Sequence, residues 1–308
     1  DQIRFRVLFQ SQTTGNTYPS SVDLQANSVN YTFPAEGEWE WWFEIAEYNQ
    51  EMIVPGSEQT TQTQTLFIDY TPPIGGFGFK SLSNEELKTH TNNLNLKLDH
   101  LQVGETSENF NSGVAGIYLW NGEDRPTSFA EIMLNQLPTV IDEKILSALA
   151  LSTKGIFIDF ESSADHPLSA VTIQEIPWRL RDTSDGVQIV SMEAMDNAGN
   201  TAIITENIIY DYTPPLAPTN LHLEGGRYQL YLAWDPAVEQ GDPEIASGVK
   251  GYFLSYKHRD TGEEVKNLFI PQSTTPSYVI KDLEDNGQIT LALKSLDNAG
   301  NISPTDLT

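Results

Sequence analysis

Asp297-Asn298-Ala299-Gly300-Asn301 repeats Asp196-Asn197-Ala198-Gly199-Asn200 at a spacing of about a hundred residues, the signature of an array of similar units. Each copy follows an alternating stretch, Val190-Ser191-Met192-Glu193-Ala194 before the first and Leu291-Ala292-Leu293-Lys294-Ser295 before the second. Two further phrases recur in the same order. Ile68-Asp69-Tyr70-Thr71-Pro72-Pro73 returns as Tyr210-Asp211-Tyr212-Thr213-Pro214-Pro215, and Ser112-Gly113-Val114-Ala115-Gly116 as Ser247-Gly248-Val249-Lys250-Gly251. The three phrases mark unit boundaries and divide the chain into segments 1–71, 72–213 and 214–308.

The linkers have a mechanical sense. Proline locks φ, removes an amide donor and holds the residue before it extended. A paired proline therefore ends one strand and holds the next unit out semi-rigidly.

Period-two patterning predicts strands throughout. In the first segment Arg4–Phe9 alternates. Trp39, Trp41, Phe43 and Ile45 share one face, with Glu38, Glu40, Glu44 and Ala46 on the other, and Trp42 is expected to point outward or into a second contact. In the middle segment, Leu94, Leu96 and Leu98 alternate, and Ile117–Trp120 follows the Ser-Gly-Val phrase. Between about 121 and 185 lies an insertion that the third segment lacks. Phe129, Ile132, Met133 and Leu137 have helical spacing, Ile145–Leu151 is an apolar run, and Ile156–Phe160 reads as a strand; the expectation is a short helix and an extra hairpin packed on the flank. The third segment carries six strands: Asn220–Leu223, Gln229–Trp234, Gly251–Lys257, Glu264–Ile270, Tyr278–Leu283 and Gln288–Leu296. Turn signals at Gly225-Gly226, Asp260-Thr261-Gly262 and Asp285-Asn286-Gly287 separate them. Six short strands with almost no helix pattern argue a β-sandwich. The chain stops soon after Asn301, where a seventh strand would run, as a truncated piece or an irregular last strand would.

The third segment resembles a bacterial fibronectin type III domain. Trp234, Asp235, Ser247-Gly248-Val249, Tyr252, Tyr278, Leu283 and Asp297–Ser303 carry the likeness. The middle segment resembles a related immunoglobulin-like unit with the insertion. The first matches through its aromatic strand and exit linker, and Glu47–Glu51 departs from the Asp-Asn-Ala-Gly-Asn turn. The resemblance implies an all-β fold of tandem immunoglobulin-like/fibronectin type III β-sandwiches, the first incomplete. It further implies a cell-surface or secreted protein whose work is structural and adhesive, with a protein or glycan ligand.

Composition narrows the chemistry. A net charge of −26, with Arg4 and Arg6 the only bases of the first segment, repels phosphate backbones and argues against nucleic-acid binding. With no cysteine there is no disulfide, thiolate catalysis or cysteine-ligated metal. No apolar run is long enough for a transmembrane helix. The chain opens at Asp1 without a signal peptide, as expected of a cleaved leader or a piece of something longer. His90, His100, His166, His222 and His258 form no zinc motif, and no nucleophile elbow, phosphate loop or dinucleotide fingerprint occurs. The expectation is a non-catalytic protein.

Two candidate sites remain. In this sandwich type the entry linker, the loop after the second strand and the loop before the last strand lie at one end. That would gather Asp211, Asp235 and Asp297, with Asp242 and Glu244 near in sequence, and upstream Asp69 and Asp196 with Glu105 or Glu108. Such oxygens suit Ca²⁺, which would remove hinge freedom between units. The competing reading is that each Asp caps its own turn. The other site is aromatic: Trp42 with Tyr48 as a ligand surface, while Trp39 and Trp41 fill a core. Trp120 and Trp178, flanking the insertion, offer another contact. A carbohydrate-binding appendage of a polysaccharide-degrading enzyme is the alternative to an adhesive array.

Overall fold

The computed structural model describes residues 2–19, 31–50, 52–106, 112–133, 155–162, 166–259, 261–283 and 288–304. Glu108, Leu137, the run Ile145–Leu151 and the Asp285-Asn286-Gly287 turn lie outside them.

The described part of the first segment is one sheet of six strands: β1 (Gln2–Ser11), β2 (Thr17–Pro19), β3 (Gly37–Asn49), β4 (Met52–Ile53), β5 (Gln59–Thr60) and β6 (Gln64–Ile68). The long strand β3 is its centre, antiparallel to β1 with Phe9 opposite Trp41 and Leu8 opposite Trp42. Trp39, Trp41 and Phe43 of β3 face the core at period two; Ile45 does not join them, and Ala46, expected on the other face, is buried. Trp39 is 1% exposed, and Val7, Phe9, Tyr31, Phe33, Trp41, Phe43, Leu66 and Ile68 pack with it. The rings of Phe9, Tyr31, Phe33 and Trp39 contact in sequence at centroid distances of 4.2, 4.9 and 5.1 Å.

The middle segment is a two-layer sandwich. Its strands are β7 (Ile74–Lys80), β8 (Glu86–Leu87), β9 (His90–Thr91), β10 (Asn95–Gly104), β11 (Val114–Asn121), β12 (Phe129–Met133), β13 (Gly155–Asp159), β14 (Ala170–Arg179), β15 (Gly186–Asp196) and β16 (Thr201–Tyr210). One sheet runs β14-β10-β7-β8, the other β12-β13-β11-β15-β16-β9. Leu96, Leu98 and Leu101 of the first meet Ile117, Leu119, Ile158 and Met192 of the other, all fully buried. The insertion departs from expectation. Phe129–Met133 is a strand, not a helix, and it pairs with β13 in parallel, while the first arm of the expected hairpin lies outside the described residues. The physical reason is Phe129, whose ring lies against the bare backbone of Gly155, where a Cβ would collide with it. Phe129 also contacts Tyr118 at 4.7 Å, and the Arg125 guanidinium covers both rings while pairing with Glu193. As expected of the insertion, this piece covers the sandwich edge.

The third segment pairs sheet β17-β18-β21 with sheet β20-β19-β22, the strands being β17 (Thr219–Gly226), β18 (Gln229–Asp235), β19 (Val249–His258), β20 (Glu264–Pro271), β21 (Ser277–Lys281) and β22 (Ile289–Asp297). All six expected strands are present. Trp234 is core as read, its ring edge-on to buried Tyr252 at 5.2 Å. The Tyr252 hydroxyl donates to Gln272 Oε1 at 2.5 Å and accepts from the Ala237 amide at 2.9 Å, so its burial leaves the hydroxyl paired. In place of a seventh strand, the described residues hold a single bridge from Leu296 to Ile302.

The middle and third modules share one wiring. β10 sits between β7 and β14 as β18 sits between β17 and β21, and β11 lies between β13 and β15 as β19 lies between β20 and β22. Both β11 and β19 slip register, between Val114 and Gly116 and between Val249 and Gly251. The chain is thus an all-β tandem array of immunoglobulin-like and fibronectin type III-like modules.

Candidate functional site at the module junctions

The repeated phrases meet in space, twice, in nearly the same arrangement. At the first junction Asp69 accepts the Thr71 amide on Oδ1 (3.1 Å) and the Ser112 amide on Oδ2 (2.8 Å). Its carbonyl takes Asn200 Nδ2 at 3.0 Å. Asp196 accepts the Asn200 amide and Asn200 Nδ2 at 2.8 and 2.7 Å. Asn197 Nδ2 donates to the Ser112 carbonyl, and the Ala198 amide to Ser112 Oγ. At the other junction Asp211 accepts the Thr213 and Ser247 amides at 3.2 and 2.8 Å, and its carbonyl takes Asn301 Nδ2 at 2.8 Å. Asp297 accepts the Asn301 amide and Nδ2 at 2.7 and 2.8 Å, and Asn298 and Ala299 bond Ser247 as their counterparts bond Ser112. Thus the linker Asp of one module, the Ser-Gly-Val phrase and the Asp-Asn-Ala-Gly-Asn turn of the next form one network.

The turn holds its shape through Gly199 and Gly300, at φ of +91° and +103°, a region costly for a residue with a Cβ. Asn92 of the middle module lies over Gly300, so that side chain also spans the junction.

A further clamp grips each linker from upstream. Glu36 Oε1 accepts the Tyr70 amide at 2.8 Å and Thr71 Oγ1 at 2.5 Å. Asp185 does the same for Tyr212 and Thr213, through 2.8 Å to the amide and a bond to Thr213 Oγ1. Each acid stands just before a glycine that opens the strand, Gly37 or Gly186. That Glu-Gly/Asp-Gly pairing was the available sequence signal, and reading by turns alone missed it.

Beneath each network lie further acids, with Asp196, Asp211 and Asp297 buried and Glu105 and Glu239 half-buried. Asp69, Glu105 and Asp196 each present an oxygen within 4.8 Å of the others. Burial first, then the charges of Asp196 and Asp69, push Glu105 up to about 7, against the pull of the Gly113 amide. At the other junction burial, then Asp297 and Asp211, push Glu239 up to about 7. Burial also raises Asp297, against its Asn301 and Gly300 hydrogen bonds.

Of the expected metal ligands, Asp69 and Asp196 come together with Glu105; at the other junction the charges of Asp297 and Asp211 act on Glu239, but the three oxygens are not grouped as closely as at the first. Asp235 does not join them. It ends β18 exposed, with its carboxylate taking Asn220 Nδ2 at 2.6 Å. Asp242 and Glu244 are exposed too, Asp242 accepting the Glu244 amide as an ordinary turn cap. Glu239 replaces Asp235 because the chain after β18 is pinned inward. The Ala237 amide is held by Tyr252, the Val238 carbonyl by the Leu216 amide at 2.9 Å, and Gln240 Nε2 by the Pro214 carbonyl at 2.8 Å.

The aromatic candidates divide. Trp42 and Tyr48 occupy even positions of β3 and share the face opposite the core, both half-buried, with the Arg4 guanidinium 4.8 Å above the Tyr48 ring. Trp120 and Trp178 are 1% and 2% exposed and offer no surface contact; Trp178 Nε1 is tied to Asn121 Oδ1 at 2.9 Å.

No protein-family model matches the chain, and no curated protein matches it. Among solved structures it is similar to the chicken CNTN1 FN1-FN3 domains, at 12% identity over 99% of this chain and 89% of that one, with a TM-score of 0.34. It is similar also to the tetra-tandem repeat in the extending region of a large adhesion protein, at 12% identity, 98% and 64% coverage and a TM-score of 0.29. A crystal structure of domains from titin gives 10% identity, 96% and 84% coverage and a TM-score of 0.37. The fold itself rests on the strand pairing above. No helix among the described residues is long and apolar enough to cross a membrane.

Proposed function

We propose that this chain is a non-catalytic extracellular array that spaces its modules at a fixed relation and presents an adhesive surface. The observation that supports this is the junction network, built twice from the same residue types at the same places. A flexible tether needs only polar linker residues. Here each linker is bonded on both sides, by an acid of the module before it and by two phrases of the module after it. Hydrogen bonds fixed at both ends remove hinge freedom, which is what a spacer requires.

The adhesive part rests on the outer face of β3. Trp42, Tyr48 and Arg4 are residue types enriched at binding hot spots, and flat rings also stack on sugars. That face equally favours the alternative, a carbohydrate-binding accessory to a polysaccharide-degrading enzyme. Glycan-array binding that Trp42→Ala abolishes would favour the accessory; protein capture lost in the same variant would favour the adhesin.

Rigidity is tested by ¹⁵N relaxation of the whole chain. The middle and third modules should report one rotational correlation time in the wild type and two in Asn301→Ala. Separate tumbling in the wild type contradicts the spacer.

A further inference from the structure

We propose that each junction is a binding site for one divalent cation of the calcium class, held by Asp69, Glu105 and Asp196 at the first and by Asp211, Glu239 and Asp297 at the other. The proposal rests on the array reading, since the ion would tie a linker residue to two loops of the following module.

Turn capping does not account for these acids. The Asp side chains do cap their turns, but Glu105, which takes the Gly113 amide, keeps one carboxylate oxygen without a donor, and Glu239 keeps both. Both carboxylate oxygens of Glu239, and Oε1 of Glu105, are sealed from solvent and accept no hydrogen bond. Orphaned buried carboxylate oxygens are costly and rare in folded proteins, and an ion is one of the few things that satisfies them. Among the described residues none of the six acids pairs with Lys or Arg, although such pairs occur elsewhere in the same modules, as Lys97 with Glu175 and Arg125 with Glu193. The charges of two Asp act on each Glu, and either a proton or a bound cation makes that arrangement favourable.

The donor set selects the cation. It is all oxygen, with no His or Cys, which suits hard ions over zinc or copper. The three carboxylates at each site come from separate pieces of chain: a linker, the chain after β10 or β18, and the end of β15 or β22. Ca²⁺ accepts such irregular oxygen shells, whereas Mg²⁺ demands near-ideal octahedral geometry. The Glu lies at a different spacing from the linker Asp at each junction, 36 residues from Asp69 to Glu105 and 28 from Asp211 to Glu239 by numbering, and of the two trios the first groups its three oxygens within 4.8 Å.

The test is calorimetric titration of the chelator-treated full chain with CaCl₂, and separately with MgCl₂. Two calcium ions should bind, with Kd on the order of 0.1–1 mM as in extracellular modules, and magnesium more weakly. Glu105→Gln and Glu239→Gln should each lose one ion, and the double variant both. Because Gln keeps the shape and removes the charge, both variants should fold, with circular dichroism unchanged and melting in chelator at or above that of the wild type. No calcium heat, or two ions still bound by the double variant, overturns the proposal. Relaxation data on the same samples separate it from the array reading. Modules that tumble as one without any calcium binding leave the array standing and remove the cation. Two bound ions with modules tumbling apart keep the sites and remove the rigid array.

Discussion

Asn301 shows how much a single side chain carries at a junction. Its Nδ2 reaches both the Asp211 carbonyl and Asp297 Oδ2, and its amide reaches Asp297 Oδ1. Asn301→Ala removes both side-chain bonds and leaves a buried carboxylate oxygen and a carbonyl short of a donor. It should cost about 1–3 kcal/mol in chemical denaturation. Trp234→Ala empties the third core and should cost about 3–5 kcal/mol, a loss confined to that module. The raised acids give a pH signature. Glu239 has a folded value of about 7 against an ordinary 4.5, so the folded chain holds a proton that the unfolded chain releases. Its contribution to stability is full below about 4.5 and is lost as pH rises to about 7. Melting temperatures in chelator should therefore show the wild type falling relative to Glu239→Gln between pH 5 and pH 7.5. A constant difference across that range would contradict the burial of that carboxyl. Trp39, Trp234 and the turn glycines were legible in the sequence, because period two and positive φ are local properties. Glu239 was not, because its position depends on Tyr252, Leu216 and Pro214, which hold its loop from other parts of the chain.

At the scale of elements, the linkers behave as parts of the modules. Asp185 grips Tyr212 and Thr213, while Asp211, at the head of the same linker, is held by the next module. Asp185→Ala frees the linker without touching either core. Hydrogen exchange of the Tyr212 amide should accelerate by about an order of magnitude or more while each module keeps its melting temperature; unchanged exchange would show that the clamp is dispensable. The strands of the third module were readable to within a few residues, since each alternates cleanly between turn signals. The strand at Phe129–Met133 was misread. Its apolar residues suit helix or strand at that length, and the choice is made by tertiary packing on Gly155 and by parallel pairing with β13, neither visible in local period. Gly155→Ala tests that packing. The added Cβ would collide with the Phe129 ring and stand 2.6 Å from the Leu119 carbonyl oxygen. Destabilisation of about 1–3 kcal/mol is expected in the middle module.

At the scale of the molecule, three repeated phrases describe one design. The phrases are far apart in sequence and adjacent in space, so they revealed the array and its boundaries but not their own hydrogen bonds. The first module shows the limit of the repeat: it shares the exit linker and the upstream clamp at Glu36, while its long aromatic strand departs from the pattern downstream. A charge of −26 spread along the array drives modules apart, which fixed junctions resist and bound cations would screen. The central claim is that the junctions hold neighbouring modules in one relation. Because the chain has no cysteine, a spin-label pair can be introduced without background. The direct measurement is the distance distribution between labels at Thr172→Cys and Lys266→Cys in saturating calcium. One narrow peak that broadens in Asn301→Ala is the expected result. A broad distribution in the wild type, unchanged by that substitution, would contradict a locked array.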